Sequence, residues 1–542
     1  MTVVRTLCGQ CSVGCGVRAM TGEGRDLSFA GDPVHPANSG LLCAGSEAID
    51  AMVPLDGRLL HPMLNGQRVS WDRIIGQAAR RLKDVLHRHG PGSVAMHVAG
   101  GLLTEDYYVA NKLMKGFIGS AHIDCGSSGG PAADIYRKAL GEDAVPGTFE
   151  DIDQAELIMV PGEAVLRKHP VLADRVQAAR EEGAARLILL DDGADAEEAI
   201  PPDIRLNIAP GSAAVLLNGL LLHCHERGLV DTAYLDRHVV APDDFWARLR
   251  QGHDLWSVAR RCGLQAAELR AFYDLVGAGR RVVTLLDDGD AGLLRAVVNL
   301  HVSMEWIGRP GAAPFAVARD SNAMGAREVG CGNDQLAAHR EFSEDALSSI
   351  ARFWSAPHMA GVAGLSDDEL ADAIERGVIK ALLIVGGLAS EHRLTPLLAK
   401  VPLVIMTTPW TPDVDVKGLL ALPSPVWIEK DGTATGADRL ISRQRRLFPL
   451  PGEAKPDWWS LTQIARAMGW ADAFHYERAA EIYREHVRLT GYHNGGERLL
   501  DLRRHAPISN PAYDELTPWR WGGVPFDGGC FPTADGRARL LV

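Results

Sequence analysis

The 542-residue sequence has no run of the roughly 18 consecutive apolar residues that a membrane-spanning helix needs, which argues against a membrane span. Basic charge is not in excess either. Lys and Arg number 56 against 69 Asp and Glu, a net charge of −13, which disfavours a surface that tracks nucleic-acid phosphates. There is no Walker-type phosphate loop, no Gly-x-Ser-x-Gly nucleophile elbow and no His-Glu-x-x-His metal helix. Only seven residues precede the first cysteine, Cys8, too few for a secretory leader, so the expectation is a cytoplasmic protein with reduced thiols. Cysteine is sparse beyond residue 43: Cys125, Cys224, Cys262, Cys331 and Cys530 are scattered and read as small buried hydrophobes.

What is present is concentrated at the start. The opening reads Cys8-Gly-Gln-Cys11-Ser-Val-Gly-Cys15-Gly, and Cys43 follows at a distance. Three thiolates share one tight loop whose glycines let the backbone wrap, and a remote fourth closes the cage, as a cubane [4Fe–4S] cluster requires. Four cysteines also suit tetrahedral zinc, but zinc knuckles usually pair two Cys-x-x-Cys hooks, and the three-plus-one spacing favours iron–sulfur. Cys8, Cys11, Cys15 and Cys43 are therefore the expected metal and cofactor ligands.

At roughly 100–200 residues per domain, the length predicts three or four domains. Short apolar runs at 157–160, 186–190, 282–286, 381–385 and 403–406 read as buried parallel strands. Helical segments such as 170–181 and 213–227 lie between them. Strands alternating with helices predict an α/β fold with doubly wound parallel sheets.

The sequence resembles the molybdopterin oxidoreductase family, in particular the assimilatory nitrate reductases. The resemblance runs from residue 3 to the end, through Asp32-Pro-Val-His-Pro-Ala-Asn-Ser-Gly40, Leu59-Leu-His-Pro-Met63 and the segment from Leu103 to Gly119. It continues at Asn322-Ala-Met-Gly325, Arg327-Glu-Val-Gly330, Gln335-Leu-Ala-Ala-His339, Ser442-Arg-Gln-Arg445 and Pro451-Gly-Glu-Ala-Lys-Pro-Asp-Trp-Trp459. The resemblance implies a [4Fe–4S] domain over 1–57 completed by about 422–542, an α/β domain from 58–130 with 319–421, and a Rossmann-like domain over 131–318. It also implies a funnel for a molybdenum bis-pterin guanine dinucleotide, and a final β-barrel domain that is expected to be missing here.

Departures from the family pattern cluster on that cofactor. The family's molybdenum-ligating cysteine falls at Lys168, in Gly162-Glu-Ala-Val-Leu-Arg-Lys168-His169-Pro170. A charged ammonium has no lone pair for a metal. The family's lysine between cluster and pterin falls at Gly45, followed by Ser46. Dinucleotide-contact segments become Gly126-Ser-Ser-Gly-Gly-Pro-Ala-Ala133, Asp191-Asp-Gly193, Pro210-Gly-Ser-Ala213, Gly289-Asp-Ala-Gly-Leu293, Gly386-Gly-Leu-Ala389 and Arg319-Asp320. Asp191, Asp192, Asp195, Asp287, Asp288 and Asp290 then stand at strand ends where a pyrophosphate would be repelled.

The expectation is an iron–sulfur protein without molybdenum catalysis of its own, an electron-transfer or structural subunit beside another protein of a redox complex, with no nucleic-acid or membrane partner. One alternative is an active molybdenum nitrate reductase capped by another chain; another is a non-redox assembly protein. No catalytic residue is assigned. The acid pairs 191–192, 287–288 and 367–368 read as solvated loop carboxylates, His223 and His225 as divergent on one helix, and Arg443, Arg445 and Arg446 as packing or surface residues.

Overall fold

The structure, a computed structural model, describes residues 2–126, 130–183, 185–193 and 199–542. The chain opens with β1 (Thr2–Leu7), β2 (Gly16–Thr21) and β3 (Leu27–Gly31), an antiparallel sheet. A hairpin of β4 (Met63–Leu64) and β5 (Gln67–Arg68) leads to β6 (Val94–Val98) and β7 (Ile123–Cys125). Then come β8 (Leu157–Pro161), β9 (Arg186–Asp191), β10 (Ile204–Asn207), β11 (Val239–Val240), β12 (Val282–Asp287) and β13 (Ala313–Val317). The remaining strands are β14 (Ala381–Val385), β15 (Leu403–Thr408), β16 (Leu420–Pro423), β17 (Gly432–Thr435), β18 (Leu440–Gln444), β19 (Trp519–Arg520) and β20 (Ala538–Arg539).

Two sheets organise the molecule. One has five parallel strands in the order β10-β9-β8-β12-β13. Counted within the sheet this is 3-2-1-4-5, so the winding reverses between β8 and β12. The other has seven strands, β5-β4-β16-β15-β14-β6-β7, parallel apart from its terminal hairpin. Its parallel part reads 2-1-3-4-5 and reverses between β6 and β14. Doubly wound parallel sheets are therefore present, as the strand–helix alternation predicted.

Burial explains why these strands were legible. Ala381, Leu383 and Val385 of β14 pack into one apolar core and Leu382 and Ile384 into another, so both faces of the sheet are covered. A strand buried on both faces needs no polar alternation. Helix Pro170–Gly183 runs slightly beyond its predicted end, and helix Ala213–Glu226 stops one residue short, with Arg227 as its cap.

The carboxy-terminal part of the chain returns to the amino-terminal sheet. β17, β18 and β19 form an antiparallel sheet beside β1. The Thr6 hydroxyl donates to Gln444 Oε1 at 2.9 Å, and the Arg445 N–H donates to Thr6 Oγ1 at 2.8 Å. Arg443 donates to the Gly432 and Tyr513 carbonyls, and Arg445 to those of Arg5, Asp514 and Leu516, so these basic residues serve packing.

Candidate cofactor sites

The loop between β1 and β2 carries three of the four clustered cysteines. It is pinched shut where the Cys8 N–H donates to the Cys15 carbonyl at 2.9 Å. Gly14 sits at φ 69°, a left-handed conformation that suits glycine, and lies against Gly436. Gly9 passes so close to Trp427 that a Cβ would lie 2.4 Å from the indole. The indole N–H donates to the Leu7 carbonyl at 3.0 Å, and the Ala437 N–H to the Ser12 carbonyl at 2.7 Å. The carboxy-terminal segment thus clamps the loop from outside.

Cys43 reaches the same place from the turn before residues Ala44–Ser46. Cys8, Cys11 and Cys43 all act electrostatically on Cys15, so the four sulfurs face one another. None of the four is in a disulfide; Cys8 and Cys15 are buried, Cys11 and Cys43 partly so. Burial, reinforced by neighbouring thiolates, pushes Cys8 up to about 12, Cys11 up to about 11 and Cys15 well above the ordinary thiol range. Buried sulfurs whose ionised forms repel one another suit a cationic centre that stabilises all four thiolates together. This donor set fits a four-thiolate cluster. Gly45, two residues beyond Cys43, has no side chain to extend from it.

The reversal between β8 and β12 is the crevice where an open α/β sheet ordinarily takes its ligand. Lys168 ends helix Ala164–Lys168, which follows β8, and Asp287 ends β12. Their side chains meet across the reversal, Nζ to Oδ2 at 2.8 Å. Lys168 is 51% exposed and Asp287 30%, so the ion pair is solvent-screened. Next to Lys168, His169 is buried with neither ring nitrogen hydrogen-bonded among the described residues, and burial pulls it down to about 4. An ammonium held by a carboxylate does not fit the role of a metal ligand.

The acidic strand ends are more occupied than their sequence suggested. Asp191 pairs with Arg205, and its other oxygen accepts the Gly193 N–H at 2.9 Å. Asp290 caps helix Ala291–Ser303 by accepting the Gly292 and Leu293 N–H groups. Asp288 accepts the Ala132 N–H at 2.9 Å, at the start of helix Pro131–Leu140. Burial raises the Asp288 carboxyl, and Arg327 opposes that rise. The reading of 287–288 as solvated loop acids is thus corrected: both carboxylates have specific partners. Residues 127–129 of the altered Gly126–Ala133 segment, and Asp195, lie outside the described residues.

Sequence reasoning found the cysteines and Lys168 but missed the partner of Lys168. Asp287 lies 119 residues downstream, and only the strand order brings the two together. His223 pairs with Asp274 while His225 stacks on Trp246, so the two histidines diverge as expected.

Residues 58–467 match the family model described as molybdopterin oxidoreductase, and residues 1–52 match that described as molybdopterin oxidoreductase Fe4S4 domain. A nitrate reductase of Klebsiella oxytoca is 39% identical over 96% of this chain and 61% of its own length. A nitrate reductase of Shewanella frigidimarina is 34% identical over 100% of this chain, again over 61% of its own length. The chain therefore spans 61% of the length of these two curated relatives. In fold it is similar to acetylene hydratase from Pelobacter acetylenicus, with a TM-score of 0.75 and 16% identity, covering 99% of this chain and 77% of that one. Among the described residues no helix is long and apolar enough to cross a membrane.

Proposed function

The chain belongs to the molybdopterin oxidoreductase family, with nitrate reductases among its relatives, and from that premise we propose that it acts as an iron–sulfur subunit without molybdenum catalysis of its own. Cys8, Cys11, Cys15 and Cys43 hold a [4Fe–4S] cluster, which when bound supplies a one-electron couple. The protein around it buries Cys8 and Cys15 and fixes the loop: the Cys8 N–H closes on the Cys15 carbonyl, and Trp427 packs against Gly9. The partner is another protein of a redox assembly, to or from which the cluster passes electrons or beside which it holds the fold.

The observation that carries this reading is Lys168 in its ion pair with Asp287, at the position where the family resemblance expects a molybdenum-ligating cysteine. The identity of 39% to a nitrate reductase favours a second reading, an active molybdenum enzyme completed by another chain. Metal analysis of natively purified, anaerobic protein separates them. The first reading expects about four irons per chain with molybdenum and tungsten at background. Stoichiometric molybdenum with viologen-driven nitrate reduction supports the second and sinks the first.

A further inference from the structure

The seven-stranded sheet has its own reversal, between β6 and β14, and a different set of groups stands there. His97 in β6 and Asp124 in β7 are register partners, so their side chains emerge on the same face. Both are buried, and His97 Nδ1 lies 2.7 Å from Asp124 Oδ2. His392, in the loop after β14, brings its ring to 4.6 Å from that of His97, centroid to centroid. One donor atom from each of His97, Asp124 and His392 lies within 4.8 Å of the other two. Asp367, the first residue of helix Asp367–Glu375, brings a second carboxyl to the same cavity wall as Asp124.

We propose that His97, Asp124 and His392 form a binding site for a divalent transition metal of the zinc type, with the Asp367 carboxyl standing at its cavity side. Two imidazoles with carboxylate oxygens are a borderline nitrogen–oxygen donor set, matched to zinc and its neighbours rather than to calcium or a thiolate cluster. Metal bonds of about 2.0–2.1 Å put tetrahedral donors roughly 3.4 Å apart. His97 Nδ1 and Asp124 Oδ2 stand 2.7 Å apart, and the three donors all lie within 4.8 Å of one another, so metal binding requires side-chain rotation to even out the shell. Binding through Nδ1 takes His392 away from the Leu394 N–H, which now donates to it at 3.2 Å. Access is available: Asp124 and Asp367 both line a cavity of about 240 Å³. The acidic pair at 367–368, expected to be merely solvated, is here split in role. Asp367 lines the cavity with Asp124 while Asp368 pairs with Arg393. This site stands apart from the four amino-terminal cysteines and does not depend on the electron-transfer reading.

Cobalt(II) is the probe, added to the full chain already loaded with its iron–sulfur cluster so that the thiolates are occupied. One equivalent per chain is expected to give ligand-field bands without sulfur-to-cobalt charge transfer, and zinc should displace it. His392→Gln, at a half-buried loop position, is expected to weaken binding by at least about tenfold. His97→Ala with His392→Ala should abolish the bands. Absence of ligand-field bands in the wild-type chain overturns the site, as does equal cobalt affinity in wild type and His392→Gln.

Discussion

His301 shows how single residues in this molecule are held in one protonation state. Its Nδ1–H donates to the Trp306 carbonyl at 3.1 Å, which leaves Nε2 to accept the Thr284 hydroxyl at 2.8 Å. Burial pulls its pKa down to about 4, and that of His486, which has no hydrogen-bond partner among the described residues, to about 3. An unfolded histidine titrates near 6.5, so as pH falls the unfolded chain takes up protons first. Stability is therefore expected to be full above about pH 6.5 and to fall as the pH approaches 4. Thermal midpoints measured across that range check it, and His486→Phe should make the decline shallower. The Lys168–Asp287 pair is the opposite case, an exposed contact worth under about 1 kcal/mol. Lys168→Ala should leave the thermal midpoint almost unmoved, and Lys168→Cys alone should leave molybdenum content at background, because Asp287 and Asp288 stay in place.

Helices and strands are pinned together by ionic contacts of the buried kind. Lys430 bridges Asp106, in helix Thr104–Asn111, and Asp457, which opens helix Asp457–Ala467. Asp106 also accepts the Trp458 N–H at 3.0 Å. Removing the lysine strands two buried carboxylates, so Lys430→Met is expected to cost about 3–5 kcal/mol. Unfolding midpoints compared with those of Lys168→Ala would show the contrast. At this scale five strands buried on both faces were readable, β8, β9, β12, β14 and β15, as runs apolar at their centres apart from Thr284 in β12; β6, β13 and β18, equally buried, carry His97, Pro314 and polar residues that break the run. Cysteine spacing was equally readable, because one loop carries three sulfurs. The order in which strands lie side by side was not. That order decides that Lys168 faces Asp287, and that His97 and Asp124 face a histidine far downstream. Residue type and spacing hold no trace of it.

For the molecule as a whole, the amino-terminal loop and the carboxy-terminal sheet form one mechanical unit. Trp427, Gly436 and Ala437 touch the cysteine loop directly, and β18 lies along β1. Removing iron, by chelation or by Cys11→Ser, is therefore expected to raise amide hydrogen exchange across residues 427–444 as well as across 2–31. Exchange that rises only in the amino-terminal stretch would contradict this coupling. Iron content of Cys11→Ser should fall to background in the same preparation.

Asp288 carries one more consequence. By lending its own oxygen to the Ala132 N–H, it leaves the start of helix Pro131–Leu140 stoppered from within. Helix ends of that kind ordinarily attract phosphate or sulfate from solution. Here the plug is covalently part of the chain, so it cannot be washed out or outcompeted by dilute buffer anions. The same crevice in an Asp288→Ala chain would be open to them.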